Sequence, residues 1–301
     1  MSEIFRIKSI SQVHEYFDLG KPKHPLVSVI RAENLGKYEF AKVRYAIDLY
    51  NISFKSGVSG HLTYGRNSYD FEEGTIMFTA PGQTLEFDGH DKEGRHTGWT
   101  LIFHPDLIRK SELGKNIDDY SFFSYDVNEA LHLSDDEQKS LFEIVGKIEK
   151  EYNQNIDKHS QKLIISNIEL LLDYCTRYYD RQFYTRTNMN KDVVSKFEHL
   201  LKGYYRSEKP LFNGIPTVKY CGTELNMSSN YLSDLLKKET GKNAHEHIHD
   251  FLIDKAKTNL LGSEEPISQI AYDLGFEYPQ HFAKLFKSKT VMSPSQYRTV
   301  N

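Results

Sequence analysis

The sequence predicts an α+β protein of more than one domain, with an antiparallel β barrel and helices first and an all-helical domain last. Three observations support this. A length of 301 residues suggests two domains. Apolar residues alternate in short runs before about residue 104 and recur at helical spacing after about residue 134. A stretch near the carboxyl end repeats at an offset of about fifty residues. We place the predicted boundaries at 1–133 for the barrel domain, 134–186 for a helical segment packed on it, and 187–301 for the helical domain.

Short runs rich in Val, Ile, Tyr and Phe, separated by Gly, Asn and Asp, predict antiparallel strands in a small barrel or sandwich. An amphipathic segment, Ile10–Phe17, precedes them, and residues 107–128 show no regular pattern. The predicted strands are Leu26–Ile30, Val43–Phe54, His61–Tyr64, Thr75–Thr79, Thr84–Phe87 and Trp99–His104.

Aromatic residues with a few polar groups are predicted to line the barrel interior. Such walls suit sugars and other small ligands. The predicted ligand-binding residues are Tyr45, Tyr50, Phe54, His61, Tyr64, Phe78 and Trp99. The same rings would also fill a small barrel that holds no ligand, and alternation does not distinguish a filled interior from a hollow one.

Two helices are predicted after the barrel. Ser134 and Glu137 form a capping box that opens a helix to about Tyr152, and a second helix spans roughly Lys158–Phe183. The apolar stripe of the second helix is wide, which predicts either a homodimer interface or coverage by the barrel. The polar stretch Arg181–Asn190 is the predicted linker to the last domain.

The repeat near the carboxyl end predicts two helix-turn-helix motifs, at about 215–241 and 265–290. In each copy a short helix ends at a residue that tolerates positive φ, Asn226 or Gly275. Ser228 is the predicted N-cap of the next helix in the first copy, and Gly241 its predicted end.

Polar residues lie opposite the apolar stripe of the second helix in each copy, where amides and amines could bond base edges and phosphates. The predicted DNA contacts are Ser229, Asn230, Ser233, Asp234, Lys237 and Lys238 in the first copy, Pro279, Gln280, His281, Lys284 and Lys287 in the second, and Arg298. Of these, Asn230, Asp234, Gln280 and Lys284 are predicted to read bases, and Lys237, Lys238, Lys287 and Arg298 to lie nearer phosphates.

Two helices complete the predicted DNA-binding domain. Asp192 is the predicted N-cap of a helix from Val193 to Tyr205, and Ala244–Leu261 is predicted as one helix that connects the two motifs. A rigid connector would let the two motifs reach successive major grooves, about 34 Å apart, on one face of a duplex.

The segment from about Asp192 to Arg298 resembles the DNA-binding domain of the AraC/XylS family of bacterial transcription regulators. The residues that carry the resemblance are Ile267, Ile270, Ala271, Leu274, Gly275, Phe276, Phe282, Leu285, Phe286, Lys287, Ser293, Pro294, Tyr297 and Arg298. Two positions depart from the family pattern: Val291, where glycine is usual and a branched residue resists positive φ, and Lys284, where arginine is frequent.

The stretch Gly74–Gln83 resembles the strand and Pro-Gly turn of cupin-type barrels, which often form the sensor half of AraC-like regulators. The two resemblances together imply a cytoplasmic, homodimeric regulator of transcription whose partners are promoter DNA, a small-molecule effector such as a sugar or metabolite, and RNA polymerase if it activates. No apolar run approaches the ~20 residues that a membrane span needs, so we expect no membrane partner, and we also expect no cofactor and no enzymatic activity. A constitutive regulator whose barrel only dimerises stays open as an alternative.

A metal-dependent cupin enzyme is the less favoured alternative. Such cupins use a His-x-His pair, a Glu and a further His as ligands. Here His61 stands alone, Glu72 and Glu73 follow no histidine pair, and Gln83 occupies the position of the last ligand. His245 and His249 share a helix face but lack the third ligand that zinc needs. The sequence therefore predicts no metal site. A formal net charge of −4 also argues against a protein that binds nucleic acid through an overall positive charge.

Overall fold

The computed structural model describes residues 4–34, 39–40, 44–56, 58–64, 67–71, 74–87, 89–90, 97–125, 129–154, 156–185 and 187–300. The chain divides into two compact units, Met1–Thr185 and Arg186–Asn301. We call them the N-terminal unit and the C-terminal unit.

The N-terminal unit combines strands with a few helices. Its strands are β1 (Ile4–Ile7), β2 (Val27–Arg31), β3 (Glu39–Phe40), β4 (Arg44–Ile47), β5 (Tyr50–Ser56), β6 (Val58–Tyr64), β7 (Asn67–Phe71), β8 (Thr75–Thr79), β9 (Gln83–Phe87), β10 (Gly89–His90), β11 (Thr97–Phe103) and β12 (Leu131–His132). Its α-helices are α1 (Ile10–Tyr16), α2 (Pro105–Ile108), α3 (Glu112–Asn116), α4 (Asp135–Asn153) and α5 (Ser160–Thr185).

The strands form two five-stranded sheets, ordered β1-β4-β9-β6-β7 and β12-β8-β5-β11-β2, and the pair β10-β3. Strands β1 and β4 run parallel, and β5 pairs antiparallel with both β8 and β11. Among the described residues both larger sheets have open edges, so the predicted closed, cupin-like barrel is not confirmed. The mixed α+β class is confirmed.

Helices α4 and α5 pack against each other, and α4 also lies against the β2–β11 side of the second sheet. The Phe142 ring on α4 contacts the rings of Phe54 and Trp99, and the Tyr152 hydroxyl on α4 accepts a hydrogen bond from the Val29 amide at 3.0 Å. The predicted capping box is confirmed, because the Ser134 hydroxyl accepts from the Glu137 amide while the Glu137 carboxylate accepts from the Ser134 amide.

The C-terminal unit is entirely helical in its described residues. Its helices are α6 (Thr187–Arg206), α7 (Lys209–Asn213), α8 (Val218–Leu225), α9 (Ser229–Thr240), α10 (Ala244–Gly262), α11 (Ile267–Asp273), α12 (Pro279–Thr290) and α13 (Pro294–Val300).

One prediction at the start of this unit is wrong. Helix α6 begins at Thr187, so Asp192 lies within the helix and pairs with Lys196 one turn later at 2.5 Å instead of acting as an N-cap. The boundary between the two units, after Thr185, lies within the predicted linker Arg181–Asn190. The described residues of that linker are helical up to Thr185 and again from Thr187, and Arg186 lies outside the described residues.

Each helix of the described ranges is too short or too polar to cross a lipid bilayer.

Candidate nucleic-acid interface

Helices α8 and α9 form the first helix-turn-helix. The Thr217 hydroxyl accepts a hydrogen bond from the Tyr220 amide and starts α8, which ends at Asn226 with a φ of 56°. The Ser228 hydroxyl then accepts from the Tyr231 amide at 3.2 Å, and α9 ends at Gly241 with a φ of 78°. The predicted turn residue, N-cap and helix end are all confirmed.

Helices α11 and α12 form the second helix-turn-helix. The turn passes through Gly275, whose φ is 89° and whose neighbour is the backbone of Gly214. An added Cβ at Gly275 would lie 2.6 Å from the Gly214 carbonyl carbon, so this turn requires glycine for both its conformation and its space. Pro279 occupies the first turn of α12, where its missing amide hydrogen costs no helical bond.

The apolar stripes of α9 and α12 enter one hydrophobic core. Leu232 and Leu236 from the first motif and Phe282 and Phe286 from the second are at most 1% exposed. Helix α10 contributes Leu252, Ala256 and other residues to this core and packs against α9, α11, α12 and α13. The two motifs are therefore parts of one packed body, and α10 is the connector between them.

The predicted DNA contacts on α9 and α12 lie on the side of each helix that faces away from the core. The exposed ones are Asn230, Lys237 and Lys238 on α9 and Gln280, His281, Lys284 and Lys287 on α12. The partly exposed ones are Ser229, Ser233, Asp234 and Pro279. The structure thus brings polar donors and acceptors together on the outer face of each of these two helices.

The two faces differ in charge. Helix α9 carries Lys237 and Lys238 together with Asp234 and Glu239, whereas α12 carries three lysines and no acidic residue. One of the three, Lys289, donates to the Asp250 carboxylate on α10 at 2.9 Å, and Lys284 and Lys287 are exposed. The cationic surface is therefore stronger on the second motif.

The repeat extends beyond the helix-turn-helix, which the sequence interpretation missed. The last residue of α9 is Thr240 and the last residue of α12 is Thr290. In both, the threonine hydroxyl donates to the carbonyl four residues earlier and accepts from the amide two residues later. Asn243 then caps α10 through its side chain, and Ser293 hydroxyl accepts from the Gln296 amide at the start of α13. The signal was the equal spacing of Thr240 and Thr290, fifty residues apart like the helices before them.

Arg298 lies apart from the two outer faces. Its Nε donates to the Leu260 carbonyl at 3.1 Å, near the end of α10, and its side chain is partly buried.

The histidine cluster at the start of α10 has three different environments. The His247 ring nitrogen Nε2 lies 2.7 Å from the Thr240 hydroxyl, and burial and the charge of Lys242 lower the pKa of His247. Burial, together with His245 and Lys289, lowers the pKa of His249. Among the described residues there is no group of three or more His, Cys, Asp or Glu side chains arranged to hold a metal ion.

The predicted ligand-lining residues of the N-terminal unit are placed differently from expectation. Phe54 and Trp99 contact Phe142 of α4, and Phe78 contacts Tyr179 of α5. Tyr50 stacks on Phe103, which shares its sheet face with these rings, and Tyr45 belongs to a separate cluster with α1. Every second residue of these strands is large and apolar, and α4 and α5 cover the face of the sheet on which those residues lie. The side chains of His61 and Tyr64 lie outside the described residues.

Comparison with known proteins gives a family model and several relatives. A family model described as a helix-turn-helix domain matches residues 221–299. The transcriptional regulator YijO of Escherichia coli (strain K12) is 35% identical over 72 residues, which are 24% of this chain and 25% of YijO. The transcriptional activator RhaR of Escherichia coli O139:H28 is 26% identical over 159 residues, 53% of this chain and 54% of RhaR. The matches cover less than two thirds of either relative.

A solved structure, the C-terminal domain of the response regulator yesN from Fusobacterium nucleatum, shares 27% identity over 36% of this chain and 98% of its own, with a TM-score of 0.32. YijO and RhaR are both named as transcriptional regulators. Residues 221–299 of the C-terminal unit are therefore a helix-turn-helix domain of the AraC type, as the sequence predicted.

Proposed function

We propose that this protein is a sequence-specific regulator of transcription that binds duplex DNA with α9 and α12 together. The observation that carries the proposal is that both helices bury an apolar stripe in one core and expose amides and lysines on the other side. Helices with exposed polar faces of this kind fit the major groove, and a common core would hold both in one orientation. In a bacterial cell such a regulator would act in the cytoplasm, where the DNA lies.

Within this proposal, base reading falls to the amides of Asn230 and Gln280, which can form paired hydrogen bonds with adenine. Asp234 could accept from a cytosine amine, and Lys284 could donate to guanine. Lys237, Lys238 and Lys287 would bind phosphates, with Ser229, Ser233, Pro279 and His281 at the edges of the contact. Exposure of the charged and amide groups supports this division.

The test begins with selection of bound sequences from a random DNA pool. Replacing Gln280→Ala should relax selectivity at one base pair and cost about 1–3 kcal/mol on the selected site. Gln269→Ala is the matched control, because Gln269 is an exposed glutamine on α11 whose amide donates to Asp273. An equal loss of affinity on random DNA would contradict a base contact by Gln280, and no enrichment of any sequence would contradict the proposed function.

We further propose that a small polar molecule controls the regulator by binding against the second sheet of the N-terminal unit. The face opposite the aromatic rings carries Ser28, Ser53, Thr75 and Thr79, which are at most 9% exposed, beside the apolar Ile30 and Ile102. Ser53 donates to Asn51 and lies 3.0 Å from the Thr100 hydroxyl. The hydroxyls of Thr75 and Thr79 are buried with no hydrogen-bond partner among the described residues. Buried hydroxyls normally have partners, and the hydroxyls of a sugar would supply them.

Thermal unfolding in the presence of sugars and other metabolites tests this proposal, because a bound ligand raises the melting temperature by mass action. A ligand found in this way should lose its effect in Thr79→Val and keep it in Phe54→Leu, which alters the opposite face. If no metabolite shifts the transition, the constitutive alternative is favoured. Binding should shift the balance between DNA-binding and non-binding arrangements of the protein.

Homodimerisation through α5 is also part of the proposal. Leu163 and Leu170 are 46% and 41% exposed, and they lie one heptad apart on this helix. Exposed leucines at this spacing are typical of a helix that pairs with another helix. Sedimentation of Leu163→Lys should give a monomer if α5 forms the interface. Sedimentation of the parent protein as a monomer would exclude the dimer.

A further inference from the structure

The carboxyl end of the connector α10 receives hydrogen bonds from two sources. The Asn259 carbonyl accepts from the amide and the hydroxyl of Ser263, at 3.1 and 2.9 Å. The Leu260 carbonyl accepts from Arg298 Nε at 3.1 Å. The last carbonyls of a helix have no partner within the helix, so these bonds cap it. Arg298 therefore joins the end of α10 to α13, which lies beyond the second helix-turn-helix.

The guanidinium of Arg298 is held inside the protein surface. Its Nη2 atom is buried and has no hydrogen-bond partner within the described ranges. An arginine stays charged at all physiological pH values, and a positive charge beside the negative end of a helix dipole is stabilising. The preceding residue, Tyr297, packs the edge of its ring against Phe286 of α12, with ring centroids 5.4 Å apart. Both contacts hold α13 in place.

The internal repeat gives an independent comparison. The offset of fifty that relates Thr240 to Thr290 relates Ile248 to Arg298. Ile248 is an apolar residue of the common core and is 2% exposed. The second motif thus carries a charged donor where the first carries a core residue. Arg298 uses this donor to bond the Leu260 carbonyl.

We propose that Arg298 is a positioning residue, which fixes the second helix-turn-helix against the end of α10 instead of binding a DNA phosphate. Loss of its bond to Leu260 would let α13 and α12 shift relative to the connector. The fit of α12 to DNA would then weaken while the number of phosphate contacts stayed the same. The DNA part of this inference rests on the proposed function; the structural part does not.

The test compares Arg298→Met with Lys287→Ala in the full chain. Methionine keeps an aliphatic stem but lacks the charge and the donors. We expect Arg298→Met to lower the melting temperature of the C-terminal unit by about 2–5 °C, as loss of one hydrogen bond to a charged group should. At a temperature where it stays folded, its affinity for a selected site should fall about tenfold with an unchanged salt slope. Lys287→Ala should leave the melting temperature unchanged and flatten the salt slope by about one unit.

Arg298→Lys should recover part of the melting temperature, since one donor and the charge remain. A salt slope that falls by about one unit in Arg298→Met, or a melting temperature equal to that of the parent, would overturn the positioning role. If the parent protein binds no DNA, the proposed function fails, and the melting temperatures of Arg298→Met and Arg298→Lys still decide whether the bond to Leu260 holds α13.

Discussion

At the residue scale, Val291 stands out because it adopts a positive φ of 67° at the end of α12. A branched side chain resists this conformation, which costs about 1–2 kcal/mol for residues with a Cβ. Val291 is 85% exposed, so burial of its side chain returns little of that cost. The corresponding residue after α9 is Gly241, with a φ of 78° and open space around the position of a Cβ. The departure noted in the sequence is therefore a strained turn.

The repeat offers a reciprocal exchange. We expect Val291→Gly to raise the free energy of unfolding by about 0.5–1 kcal/mol, since relief of strain exceeds the added entropy of the unfolded glycine. Gly241→Val should lower it by a similar amount. Urea unfolding of the full chain measures both. A loss of stability in both variants would mean that φ does not decide the preference at these positions.

Gly275 illustrates a different requirement. Gly275→Ala would add strain at a φ of 89° and also a Cβ within 2.6 Å of the Gly214 backbone, which cannot move aside like a flexible side chain. We expect a loss of about 2–4 kcal/mol in urea unfolding. Gly241→Ala is the matched control with a positive φ and no close atom, and it should cost about 1 kcal/mol. Equal losses in the two variants would argue against a steric role for Gly214.

At the scale of the element, α10 binds the two motifs electrostatically as well as through the core. The Asp250 carboxylate accepts from Lys242, which follows α9, at 2.7 Å and from Lys289 of α12 at 2.9 Å. Partial burial acts to raise the pKa of Asp250, but the hydrogen bonds and charges of the two lysines outweigh it and lower that pKa. The pair of bonds thus favours the ionised carboxylate in the folded protein.

This lowered pKa predicts a pH dependence. Because the folded pKa of Asp250 lies below the unfolded value of about 3.9, the stabilisation is complete above that value and is lost as pH falls through the folded pKa. Asp250→Asn should cost about 0.5 kcal/mol at pH 7, since the side chain is one-third exposed, and the cost should shrink below about pH 4. Urea unfolding of parent and variant from pH 7 to 3 measures it. A difference that stays constant with pH would exclude the charge of Asp250 as its cause.

The helices show which elements the sequence could predict. Helices α4 and α10 were predicted to within a few residues because both have a long apolar period, and α4 also has the capping box of Ser134 and Glu137. The start of α6 was missed because Asp192 is a good N-cap residue by type, yet here it pairs with Lys196 inside the helix. Helices α2 and α3 were missed because four or five residues are too few to show a period.

At the scale of the whole molecule, a net charge of −4 means that attraction to DNA must come from a small part of the surface. We expect the second motif to supply that part, through the exposed Lys284 and Lys287. Replacing both by Ala should flatten the slope of log affinity against log salt by about 1.8 units. The control Lys147→Ala with Lys150→Ala removes the same charge from exposed positions on α4. Equal slopes in the two double variants would mean that net charge, and not contact, governs binding.

The sequence did not predict which face of the second sheet the helices would cover. Phe54, Phe78 and Trp99 alternate correctly along their strands, and the register confirms that Trp99 lies opposite Phe54. Both faces of the second sheet are covered, however: α4 and α5 pack on the face with the rings, and residues of β1, α1 and β4 pack against Ile30 and Ile102 on the other. Alternation separates two faces but does not say which one a helix will cover. The exposure of the candidate DNA contacts was easier to predict, because one face of α9 and one face of α12 are open to solvent.

The core that α9 and α12 have in common fixes the distance and the orientation between these two helices. A close-packed interior does not let one helix turn or slide while the other stays still. Adding a single base pair between the two contact regions of a duplex rotates one against the other by about 34°, and the protein has no joint to follow it. Such DNA should be bound as if half of its site were missing.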